Sequence, residues 1–225
     1  MDVRPLSKWM VPFFQKGLER WEVFEKRDLD QAVLRFWCGR MSKEYYPPRG
    51  HNEWLKSKLE RSAILKYRAR AKVGKRLEGP TEVDLVIETP KMLIFIEAKY
   101  LSDIDCQTTY DPCRDQIIRN LDVGTYQAET RDKQFFFILL TPEFHERSRL
   151  YWFKMVDYMR DPNRIKEKLP YRSINFEQLS ANIMWILWRD VIQIWHANKE
   201  EFQVEGEDRM KVPLVSKHFE EAGLC

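Results

Sequence analysis

Residues 92–100 read MLIFIEAKY, and the fold turns on how that stretch is interpreted. The apolar run from Met92 to Ile96 does not alternate, which is the pattern of a strand covered on both faces rather than one facing water. Glu97 and Lys99 then break the run, and because they are two apart on a strand they project from the same side. Burying both costs on the order of several kcal/mol per ion unless a partner or a function compensates. The stretch therefore predicts a central strand with a functional position near its end.

Immediately upstream, Thr89, Pro90 and Lys91 supply a turn. Before it, Thr81–Glu88 predicts a second strand, with Val83, Leu85 and Ile87 on one face and Glu82, Asp84 and Val86 on the other. Folding the two strands into a hairpin brings Asp84, near the middle of its strand, beside Glu97 and Lys99. Earlier still, Ile64–Lys72 alternates as a half-buried strand does, with Lys66, Arg68, Arg70 and Lys72 on one side. Gly74, Gly79 and Pro80 form the loop between. Asn52 is placed to cap a helix running to about Ser62, with Leu55 and Leu59 on its core face.

Downstream, Asp111 can cap a helix that starts at Pro112 and ends at Gly124. Gln134–Thr141, rich in phenylalanine and isoleucine, predicts the next strand. Read in order, residues 52–141 give helix, three strands, helix and strand, and a helix joining two strands of one sheet is a crossover unit. The class expected is α/β, a central mixed β-sheet flanked by helices.

The flanks read as helical additions to one domain of residues 1–225. Residues 1–50 predict a helical N-terminal cap, because Trp9, Phe13, Phe14, Leu18 and Trp21, then Ala32, Val33, Phe36 and Trp37, recur at helical steps. Residues 142–225 predict a C-terminal helical extension and tail: a helix over about Arg147–Met159, a turn at Asp161 and Pro162, and a long apolar helix over Phe176–Trp195. On that helix Trp185, Trp188 and Trp195 would be core. Glu200, Glu201, Glu205, Glu207 and Asp208 mark a solvated tail or surface hairpin.

With 44% apolar and 32% charged residues the chain can bury a core and is not a disordered one. A net charge of +3 argues neither for nor against a polyanionic partner. The distribution is more informative, since Lys56–Arg76 holds nine Lys or Arg against Glu60 alone. Such a cluster suits a phosphate-backbone surface, although for any single residue a solvated edge strand guarded by cations is an equal reading. Cys38, Cys106, Cys113 and Cys225 form no CxxC pair and the histidines are scattered, so a zinc site has little support. Neither a signal peptide nor a membrane-spanning run is legible, and a reduced, cytoplasmic protein is expected. No GxSxG or Cys-His arrangement points to a metal-independent hydrolase.

Two carboxylates and an ammonium are a donor set suited to a hard cation such as Mg²⁺ and to a phosphoryl substrate. The segments Thr81-Glu82-Val83-Asp84 and Ile96-Glu97-Ala98-Lys99 resemble the PD-(D/E)xK nuclease superfamily, with Val83 where the motif name has proline. The likeness spans about Glu53 to Thr141. It implies an αβββαβ restriction-endonuclease-like core, with the acid on the second strand and the ExK pair on the third. It further implies Mg²⁺ or Mn²⁺ held by Asp84, Glu97 and the Ala98 carbonyl, with Lys99 assisting the nucleophile. By the same resemblance Glu53 on the first helix, with Glu60 competing, and Gln116 on the later helix join the site. Cleavage of DNA in preference to RNA and a homodimer follow by analogy. Two alternatives stand beside this reading. One is a structural ion pair between Asp84 and Lys99; the other is a catalytically silent nucleic-acid-binding or scaffolding protein of the same fold.

Overall fold

The computed structural model describes residues 3–5, 33–36, 48–60, 81–100, 102–106, 114–142 and 149–198. Met92–Ala98 is a strand, β4, buried along nearly its whole length, as its unbroken apolar sequence requires. It is the fourth strand in a six-stranded sheet ordered as in the chain: β1 (Val3–Pro5), β2 (Val33–Phe36), β3 (Leu85–Glu88), β4, β5 (Gln134–Thr141) and β6 (Ile183–Leu187). The first four strands run antiparallel to their neighbours, whereas β4, β5 and β6 are parallel. The sheet is thus mixed and flanked by helices, an α/β architecture.

The helices are α1 (Arg49–Glu60), α2 (Gln116–Glu129), α3 (Leu150–Arg160), α4 (Pro162–Lys168), α5 (Phe176–Ala181) and α6 (Trp188–Asn198). One face of the sheet carries Val86, Leu93, Phe95, Phe135, Phe137 and Leu139, which cluster with Ile117, Ile118 and Leu121 of α2. Tyr151, Met155 and Tyr158 of α3 join the same cluster. The alternate residues Ile94, Ile96, Phe136 and Ile138 point the other way and are buried too. No helix among the described residues is long and apolar enough to cross a membrane.

Several expectations shift. Val33–Phe36 is a strand, not part of a helical cap, and it pairs with β3; apolar runs this short fit either period, and the open edge of β3 decides. The helical reading of Trp9–Trp21 and the strand reading of Ile64–Lys72 lie outside the described residues. With β2 on one side of β3 and β4 on the other, the position beside the Asp84 strand is held by residues far upstream of 64–72.

Helix α1 begins at Arg49, three residues before Asn52. Helix α2 begins at Gln116 behind a different cap, Asp115, whose side chain accepts from the Ile118 amide at 2.9 Å. It runs straight through Gly124, where a Cβ would sit 2.0 Å from Cε2 of Phe135. The glycine lets helix and strand approach closely and does not end the helix.

The expected long helix over Phe176–Trp195 is three elements. Asn175 caps α5, accepting from the Gln178 amide at 2.9 Å, and Asn182 ends it. The Asn182 side chain donates to the Phe135 carbonyl at 2.8 Å while its own carbonyl accepts from Phe137 at 3.0 Å, which steers the chain into β6. The sheet therefore continues past Thr141. The turn at Asp161 and Pro162 opens α4, with Asp161 as cap and Pro162 at the first helical position.

Candidate functional site

Strand register places the site. Leu85 pairs with Ile96 across β3 and β4, so one further step sets Asp84 opposite Glu97. Asp84 stands just before β3 begins, not in mid-strand, and its Oδ2 accepts from the Ala98 amide at 2.8 Å. By the period of the strand Glu97 lies on the face of Leu93 and Phe95, against α2, and Asp84 on the face of Val86. This corner is the carboxyl end of the parallel strands β4 and β5 beside the first turn of α2, a usual place for ligand sites in open α/β sheets.

Glu97 is 2% exposed and surrounded by donors. Its Oε1 accepts from Gln116 Nε2 at 2.7 Å and lies 2.8 Å from Lys99 Nζ, while Oε2 accepts from Asn120 Nδ2 at 3.1 Å. Gln116 also ties the loop at Asp105 to the helix, its amide donating to the Asp105 carbonyl at 2.9 Å. Burial and then the neighbouring Asp84 charge push the Glu97 carboxyl up to about 7, against the pull of Lys99 and of the Asn120 hydrogen bond. The excess negative charge of the pair is the kind a divalent cation would offset.

Lys99 pairs with Glu97, and among the described residues no ion pair joins it to Asp84, which departs from the structural pair weighed above. Its backbone is gripped from the start of α6, where Trp188 Nε1 donates to the Lys99 carbonyl at 2.8 Å. Trp185, on β6, likewise donates to Thr141 Oγ1 at 2.8 Å. Both indoles are half-buried, serving as polar clamps at the sheet end rather than as one stripe of a core helix. Arg119, one turn along α2 from Gln116, donates to Thr81 Oγ1 at 3.0 Å and so holds the segment leading to Asp84.

Asp84, Glu97, Lys99 and Gln116 thus come together, with Ala98 between them. Glu53 is exposed on α1, and among the described residues no hydrogen bond or ion pair joins it to Asp84 or Glu97. The side chains of Glu60, Lys66, Arg68, Arg70 and Lys72 lie outside the described residues. Asn120 is a site residue that the sequence reading misses; its signal is an amide four residues on from Gln116, on the buried face that carries Ile117 and Leu121. For Trp188 the sequence held none.

The donor chemistry fits a hard divalent cation in kind, two carboxylates facing each other across a strand pair, and Asp84 and Glu97 are the side chains that would hold it. It is lean in number, since no group of three or more His, Cys, Asp or Glu that could hold a metal occurs among the described residues. No family model, curated protein or solved structure matches this chain, and no family is assigned to it on that ground.

Proposed function

We propose that the protein is a divalent-metal-dependent nuclease of the PD-(D/E)xK kind, hydrolysing phosphodiester bonds in DNA before RNA, on a restriction-endonuclease-like core. The observation that carries this reading is the meeting of Asp84 with Glu97 across the β3–β4 hairpin, with the Lys99 ammonium 2.8 Å from Glu97. Glu97, buried to 2% exposure with the partly buried Lys99 against it, is costly to keep for stability alone, and the exposed Asp84 beside it is open to a ligand.

Asp84, Glu97 and the Ala98 carbonyl would hold Mg²⁺ or Mn²⁺, which when bound polarises the phosphate and acidifies a water. Lys99, kept in place by Glu97 and by the Trp188 clamp on its carbonyl, sets a positive charge where the transition state becomes more negative. Gln116 and Asn120 hold the Glu97 carboxylate in one orientation. The basic segment Lys56–Arg76 would follow the phosphate backbone.

Purified protein is incubated with plasmid, single-stranded DNA and RNA in Mg²⁺, Mn²⁺ or EDTA. Cleavage is expected with either metal and not with EDTA. Asp84→Ala and Lys99→Ala should each slow it at least about a hundredfold while leaving DNA binding largely intact; undiminished cutting by both variants would end the proposal.

A second reading has its own support. Glu97 is already satisfied by three protein donors, and Glu53 adds no third carboxylate. Both features suit a protein that keeps the fold and binds nucleic acid or partners without cutting. Retained DNA binding with no cleavage in any metal would favour it.

A further inference from the structure

We infer that Asn120 is a positioning residue of this site, which leaves Oε2 as the oxygen that Glu97 offers to a divalent cation shared with Asp84; the inference rests on the metal-dependent reading above. A carboxylate has about four lone-pair directions, two on each oxygen. Oε1 has both engaged, by Gln116 Nε2 at 2.7 Å and Lys99 Nζ at 2.8 Å. Oε2 has one engaged, by Asn120 Nδ2 at 3.1 Å. Among the described residues the direction left open on Glu97 is therefore on Oε2.

The surroundings of Asn120 support a specific task. It is wholly buried, at 0% exposure, on the α2 face that also carries Ile117 and Leu121, where a side-chain amide is costly unless its hydrogen bonds are used. Its donor is used on Glu97. Its Oδ1 has no hydrogen-bond partner among the described residues, a buried acceptor on the side chain that holds Glu97. A water carried by a bound cation would satisfy it, since Mg²⁺ and Mn²⁺ sites of this type retain several waters. Gln116 and Asn120, one helical turn apart, grip opposite oxygens of Glu97 and so fix the plane of the carboxylate. Outer partners of this sort are worth about 10- to 100-fold in metal affinity.

The test is a calorimetric titration of the full chain with Mn²⁺, in which no turnover is read. Wild type should bind and Asp84→Ala should not. Asn120→Leu, which keeps the volume and removes the amide, should bind about 10- to 100-fold more weakly while still melting cooperatively. Leu121→Ala, destabilised in the same helix but removing no hydrogen bond to Glu97, should keep wild-type affinity. If Asn120→Leu does not fold, Asn120→Ser takes its place, its hydroxyl too short to reach Oε2, with the same loss expected. Wild-type affinity in the Asn120 variant, or an equal loss in Leu121→Ala, overturns the role of Asn120 and leaves the proposed nuclease standing. Absence of Mn²⁺ binding by wild type overturns both.

Discussion

At the scale of single residues, a carboxylate buried to 2% exposure beside another acid holds its proton into the neutral range. Without metal, the folded chain keeps the Glu97 proton to about pH 7, against an ordinary value of 4.5. A raised carboxyl stabilises the fold fully below the unfolded value, and that contribution fades as pH climbs through the folded one. Between about pH 4.5 and pH 7 the metal-free protein should thus lose roughly 3 kcal/mol that Glu97→Gln does not lose. Denaturant unfolding of both proteins across that window, in EDTA, checks it, and parallel curves would refute the assignment of the shift to Glu97. Tyr158 and Tyr171 give a second readout. Burial first, and then Asp115 for Tyr158, hold both phenols well above their usual range, while at Tyr171 burial and Asp122 outweigh the Arg114 guanidinium. Neither should ionise before the protein unfolds in base, as ultraviolet absorbance at the phenolate band would show.

At the scale of elements, Gly124 separates helix propensity from packing. Alanine is favoured over glycine in a helix interior by about 1 kcal/mol. Here its Cβ would meet Phe135 at 2.0 Å, and Gly124→Ala should destabilise by about 1–3 kcal/mol in thermal melts. Adding Phe135→Leu should recover part of the loss, and a stabilising Gly124→Ala would refute the close approach. The same glycine is a false stop signal in the sequence, since glycine after an apolar helical stretch usually ends a helix and α2 runs on to Glu129. Asn175 and Asn182 are the opposite lesson. Both are cap residues readable in the chain, yet the apolar residues between Phe176 and Trp195 fit a helical period well enough to hide a five-residue strand.

At the scale of the whole molecule, β6 is part of the sheet and not an appendage to it. A chain ending at Asn175 loses β6 and leaves the apolar edge of β5, Phe137–Thr141, unpaired. It should aggregate or lose cooperative unfolding, measurable by sedimentation and calorimetry, whereas a soluble, cooperatively folding fragment would show that the core closes at Thr141. Legible along the chain are the buried strand, the hairpin that sets Asp84 against Glu97, the position of β5 and the amide-bearing helix behind them. Each of these depends on neighbours in the chain: an unbroken apolar run, a proline turn, a two-residue side-chain period. That Val33–Phe36 flanks β3, that Asn120 and Trp188 hold Glu97 and Lys99, and that Glu53 makes no bond to either carboxylate emerge with the fold. Those contacts join residues whose separation along the chain carries no period, so nothing short of the folded sheet could bring them together.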